Sequence, residues 1–182
     1  SYTHDSPVPF ISASESMHHA CFSSFIRQRG SKDEYQMNAF LNWIKQLGHP
    51  VIELKCDQEP STVDVRNQLI KRCEGTQLIP FATPKGSKGA LGAGERAHLA
   101  VEGKLRSNRH RLEEMYKVKI GPDHLLIPWL VRHISWLLDR FQTKANGKTA
   151  YESMRGKPYK GQCIPFGEVA MFRLLTDDKC AD

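Results

Sequence analysis

An α/β layer fold is the class this sequence predicts, and three observations predict it. Short apolar runs at 51–56 and 78–82 alternate with stretches of helical period. Capping-type residues open those stretches and glycines close them. The 182 residues are 40% hydrophobic and 25% charged, a balance that lets one globular unit bury a core and excludes a disordered tail or a fibre.

The elements follow in chain order. Residues 7–26 mix β-branched and aromatic residues with Ser and Pro and read as two strands, VPFISAS and ACFSSFI, joined near Glu15 to His19. Ser31 and Glu34 have capping-box spacing, and Met37, Phe40, Leu41, Ile44 and Leu47 recur at helical intervals until Gly48, so a helix is expected over 33–47. VIELKC, 51–56, is short and apolar enough for a buried strand that ends at Asp57. Ser61 and Asp64 repeat the capping pattern before Val65, Leu69, Ile70 and Cys73; Gly75 closes that helix, and a strand follows at 78–82. Residues 83–94, TPKGSKGALGAG, have little to bury and read as a mobile loop. A long helix is expected from Glu95 to about Val118, with Ala97, Val101, Leu105, Leu112 and Met115 along one face. Gly121-Pro122-Asp123 is a break and cap before HLLIPWLVRHISWLLDRF, a packed helix kinked or restarted at Pro128. IPFGEVAMFRLL then resumes strand-like character, which divides the chain into a core at 1–142 and a linker with a small β extension at 143–182.

Charge and cysteine usage narrow the class of partner. Lys and Arg number 26 against 20 for Asp and Glu, giving +6, which suits a polyanion such as nucleic acid but equally a solvated basic surface. Cys21, Cys56, Cys73, Cys163 and Cys180 form an odd set without a C-x-x-C pair, against both a disulfide framework and a zinc knuckle. No apolar run reaches membrane-spanning length, and the opening SYTHDSPVPF has no charged start before a greasy stretch. An intracellular protein with no membrane partner is the expectation.

Two carboxylates stand where open α/β sheets place ligands. Asp57 falls at a strand's C-terminal end, and Glu95 opens a helix 38 residues later beyond the glycine loop. Such a pair suits Mg²⁺ (or Mn²⁺), which asks for oxygen ligands and keeps positions open for phosphate.

The words around these acids carry a resemblance. KCDQEPS, 55–61, resembles the retroelement integrase segment in which a strand ends in the second acid of a D,D-E triad. SKGALGAGERAHLAVEGKLR, 87–106, resembles the stretch in which a glycine-bearing loop leads to the catalytic Glu of a long helix. LLDRFQTKANGKTAYESMRGKPYKG and then FGE, within 137–168, are similar to the downstream pattern NR…TPYE…GKP…FG of long-terminal-repeat retrotransposon integrases. Order and spacing over roughly 50–170 make the likeness specific where no single motif is.

What the resemblance implies is the catalytic core of a retrotransposon polyprotein integrase: a ribonuclease H-like fold with a five-stranded mixed sheet flanked by helices. It implies two-metal phosphoryl transfer on DNA ends, homo-oligomers, and nuclear action on chromosomal DNA. Asp57 and Glu95 carry over as the second and third acids. Asp5, 52 residues before Asp57, has a spacing the family tolerates for the first acid. Yet Asp5-Ser6-Pro7 leads straight into the next strand, so Asp5 reads as a turn residue and the first strand as truncated. The family's amino-terminal His/Cys zinc module has no counterpart here.

DNA-contact candidates are Lys85 and Lys88 in the loop, with Arg96, His98, Arg106 and Arg109 on the long helix, of which Arg106 and Arg109 share the Glu95 face. A solvated face carrying Glu102, Glu113 and Glu114 is the plainer alternative, and His98 is plainly read as a surface histidine. His18 and His19 are expected to be structural or exposed, Trp43, Trp129 and Trp136 to pack in helices, and Cys56 to be a buried strand thiol. Glu59 fits either a supporting role beside Asp57 or a helix cap. Two other functions compete: a catalytically inactive nucleic-acid-binding remnant, and a ribonuclease H-like nuclease or transposase.

Overall fold

The computed structural model describes residues 8–81 and 92–171. The chain runs β1 (Phe10–Ser14), β2 (Cys21–Phe25), α1 (Glu34–Leu47), β3 (Val51–Lys55), α2 (Pro60–Arg72), β4 (Gln77–Phe81), α3 (Gly92–Tyr116), α4 (Ile127–Phe141) and α5 (Ala150–Arg155). This is the mixed α/β class expected, small sheets flanked by helices. The single five-stranded sheet is not formed among the described residues. β1 and β2 pair antiparallel, β3 and β4 pair parallel, and no described strand lies between the two ladders to join them.

Strand alternation makes the hairpin the middle layer. Phe10 and Cys21 turn to one side, into a core with Val101, Leu105 and Leu112 of α3 and Leu130, Val131, Ile134 and Leu138 of α4. Phe22 turns to the other, where it meets Met37, Phe40 and Ile44 of α1 together with Val65, Leu69 and Leu78. Two half-cores thus share one hairpin, a three-layer solution to burying both faces. α4 lies along β2, whose Ser23 hydroxyl donates to the Val131 carbonyl at 2.6 Å.

Several local expectations are corrected. Asp33, not Ser31, caps α1, accepting from the Gln36 N–H at 3.2 Å, and Gly48 closes the helix in the left-handed region at φ 72°. α2 starts at Pro60, whose ring presets the first turn, with Glu59 at the cap position making no side-chain capping bond to the helix backbone; its carboxylate accepts instead from the Ser61 hydroxyl. Asp64, freed from capping, accepts the Ser31 N–H at 2.8 Å. β3 is half-buried rather than buried. Ile52 and Leu54 face the α1–α2 core while Glu53 and Lys55 face outward, the alternation their charges already encode.

α3 begins a turn before Glu95, so residues 92–94 of the expected loop are helical, and the remainder of that loop lies outside the described residues. Its apolar face ends at Leu112; Met115 is exposed. The helix starts at Ile127 with Pro128 in its first turn, the restart rather than the kink of the two alternatives, and the cap position is Leu126 rather than Asp123. Trp129 is 67% exposed, because the α4 stripe that buries Ile127, Leu130, Val131, Ile134 and Leu138 leaves it on the opposite side. No strand forms over 164–171: Phe166 packs against the α3–α4 core, Val169 and Met171 are exposed, and the rest of that expected strand lies outside the described residues. Ala150 of α5 is fully buried with Ala20 and Leu47.

Candidate functional site

The parallel pair β3–β4 positions the first of the two acids. Lys55 is in register with Phe81, and Asp57 follows Lys55 by two residues, so it leaves the sheet at the strands' C-terminal end. That end is the one where successive parallel strands open a crevice. β4 finishes at that end at Phe81, and the next described element is α3 from Gly92, whose first turn carries Glu95, with the helix N-terminus favouring its charge. Both side chains are exposed, and among the described residues neither is held in a hydrogen bond or ion pair. Cys56, next to Asp57, is half-buried, not buried, with its sulfur 3.7 Å from Arg66 Nη1; burial raises its pKa.

The basic candidates divide. Asp5, Lys85 and Lys88 lie outside the described residues. Arg96 is exposed one residue after Glu95, its guanidinium 3.6 Å from where a β-carbon on Gly92 would sit. Arg106 is exposed, with Glu102 4.0 Å away. Arg109 is packed rather than free, 3.5 Å from Glu113, which also accepts the Ile120 N–H at 2.8 Å. That backbone bond, more than Arg109, holds the Glu113 carboxyl below its ordinary range. His98 is not a surface histidine: its ring stacks on Phe10 at 4.3 Å and its Nδ1 lies 3.0 Å from the Ser12 hydroxyl, which fastens α3 to β1.

The downstream words fold back onto α4. Arg140 stacks over Trp136 at 4.6 Å and over Tyr151 and Tyr159 at 5.3 Å each, so α5 and the segment after it close around one guanidinium. Its neighbour Asp139 is buried and accepts the Cys21 N–H at 2.7 Å. Because Glu15 N–H bonds the Ala20 carbonyl, the next pair, Ser14 and Cys21, falls at a non-bonded position, and the Cys21 N–H points away from β1. Asp139 satisfies that outward edge. Burial pushes its carboxyl up to about 7 against the pull of the Cys21 N–H, Arg140 and Lys144. Burial and then Asp139 push the Cys21 thiol to about 12, so it is a core residue and no nucleophile.

Sequence reasoning missed Asp139 and the pairing of His18. Asp139 sits on the α4 stripe eight residues after Val131, a carboxylate at an apolar register that was there to be read. His18, expected to be structural or exposed, lies 3.3 Å from Glu15 and stacks on His49, 31 positions away, which no local pattern reveals.

No protein-family model matches the chain, and no curated protein matches it. Among solved structures it is similar to the catalytic core domain of BIV integrase, with a TM-score of 0.48 and 14% identity, covering 81% of this chain and 93% of that one. No described helix is long and apolar enough to cross a membrane.

Proposed function

We propose that the chain is an integrase-like polynucleotidyl transferase core of ribonuclease H-like type, from a retrotransposon polyprotein, acting on DNA ends. The observation that carries this reading is the pair Asp57 and Glu95, one just past the C-terminal end of β3 and one in the first turn of α3, both exposed and, among the described residues, without a hydrogen bond or ion pair, inside sequence words that resemble the family's. Their oxygen donors suit Mg²⁺ or Mn²⁺, and carboxylates are the donor type such an ion requires. When bound, the ion supplies charge that lowers the cost of deprotonating the attacking hydroxyl and of releasing the leaving oxygen. The chain's own work is to hold the ion through Asp57 and Glu95 and to position DNA by its phosphates, through Lys85, Lys88, Arg96 and Arg106. Phosphoryl transfer of this kind needs no covalent protein intermediate, in keeping with a Cys21 thiol locked in the core.

The test is Mg²⁺-dependent nicking and strand transfer on labelled duplex ends. Asp57→Asn and Glu95→Gln should each abolish cleavage while leaving the fold and non-specific DNA binding intact; cleavage that survives either change refutes the assignment. One observation favours a second reading. Among the described residues the two sheets are separate and Asp57 and Glu95 do not join a third side chain in a metal-ligating group, as expected of a remnant that binds nucleic acid without chemistry. Wild-type protein that binds duplex DNA but never cleaves it under Mg²⁺ or Mn²⁺ would select that reading.

A further inference from the structure

We infer that Glu15, His18 and His49 form a binding site for a zinc-class divalent transition ion that clasps the two sheets together. The three side chains converge from separate segments. Glu15 and His18 lie in the turn directly after β1, and His49 lies between the left-handed Gly48 and the start of β3. One ligating atom from each falls within 4.8 Å of the others. Glu15 Oε2 is 3.3 Å from His18 Nδ1, and Glu15 Oε1 is 3.7 Å from His49 Nε2. Metal–ligand bonds of about 2.0–2.1 Å in a tetrahedron set neighbouring donors roughly 3.3–3.4 Å apart, so with one donor from each residue within 4.8 Å no pair needs to close by more than about 1.5 Å.

Three further features point to a ligand rather than to a simple ion pair. His18 Nδ1 is shut away from water and has no hydrogen-bond partner among the described residues, although it faces a carboxylate. The Glu15 carboxylate is already aimed, because the backbone N–H groups of Met17 and His18 both donate to it, the kind of outer support that orients metal-binding groups. The two imidazoles stack 5.4 Å apart and 12° from parallel, an arrangement in which two protonated rings would repel and two neutral rings can donate to one ion.

The donor set selects the ion. Two nitrogens and one carboxylate suit Zn²⁺ and its congeners and disfavour Mg²⁺, which prefers oxygen, so this site is distinct from the Asp57–Glu95 pair. Three protein ligands leave a fourth position for water. The consequence is mechanical: β1–β2 and β3–β4 share no ladder, and an ion here would fasten the end of one sheet to the beginning of the other.

Cobalt is the probe. Chelator-treated full-length chain titrated with Co²⁺ should develop visible d–d bands at one equivalent, bleached by added Zn²⁺, and Zn²⁺ alone should raise its melting temperature. His49→Gln and His18→Gln, each checked by circular dichroism, should weaken Co²⁺ binding by more than about a hundredfold, since even outer-sphere partners are worth roughly 10–100-fold. The Asp57→Asn, Glu95→Gln double variant should bind Co²⁺ as wild type does, so this site and the proposed catalytic one fail independently. Absence of visible bands in excess Co²⁺ overturns the inference, as does undiminished binding by both folded histidine variants. Near-ultraviolet thiolate charge-transfer bands would overturn it too, by assigning the ion to cysteines.

Discussion

Asp139→Asn is the perturbation whose outcome the structure constrains most closely. In the folded chain burial raises the Asp139 carboxyl from 3.8 to about 7, with Glu15 adding to the rise and the Cys21 N–H, Arg140 and Lys144 opposing it. Below about pH 4 the folded and unfolded chains both carry this proton. Between about 4 and 7 the folded chain keeps it and the unfolded chain has lost it, so the unfolding free energy falls as pH rises, and the loss is complete above about 7. At about 1.4 kcal/mol per pH unit, the full loss is on the order of 4 kcal/mol. Asparagine keeps an oxygen to accept the Cys21 N–H and cannot ionise. Urea unfolding of both proteins from pH 4 to 8 should therefore show the variant gaining on wild type by 2 kcal/mol or more, on the order of the linkage above. Other titrating groups are common to both chains and cancel in the difference. Parallel stability curves, or a wild type that gains on the variant with rising pH, would refute the reasoning, because either means the Arg140 and Lys144 charges hold Asp139 ionised.

Three other outcomes follow from packing and charge. Ile134 is fully buried between α4 and the hairpin, so Ile134→Ala should cost about 2–5 kcal/mol in chemical denaturation. Gly48→Ala meets no atom within 4 Å but forces φ 72° on a residue with a β-carbon, so about 1–2 kcal/mol should be lost from backbone strain alone, read from the shift in the denaturation midpoint. Replacing Arg96 and Arg106 with alanine should weaken non-specific duplex binding and reduce the salt slope of log K by roughly one for each phosphate contact removed, while Arg109→Ala, whose guanidinium pairs with Glu113, should change stability more than the slope.

The legible parts of the fold were those whose signals are local. The period of Met37, Phe40 and Ile44 and the α4 stripe gave both helices nearly to the residue, and the Pro-bounded β-branched runs gave the hairpin. Caps failed where a neighbour competed: Asp33 stands closer to the first turn of α1 than Ser31, and Pro60 fixes the start of α2 regardless of Ser61. Trp129 misled because an apolar run dense on every face hides which side is buried. Strand and helix boundaries are readable from sequence to within a turn, and they put Asp57 just past β3 and Glu95 in the first turn of α3, both exposed. The engagement of His98 with Phe10 and of His18 with His49 is not readable, because each contact joins segments whose approach is decided only by tertiary packing.

The proposed metal site requires Asp57 and Glu95 to share one hard divalent ion. Titration with Mn²⁺, following loss of the free-ion paramagnetic resonance signal, reads this out. Wild type should take up Mn²⁺ in competition with Mg²⁺, and Asp57→Asn and Glu95→Gln should each remove this uptake in a protein that is still folded. Uptake left unchanged by either single substitution would contradict it.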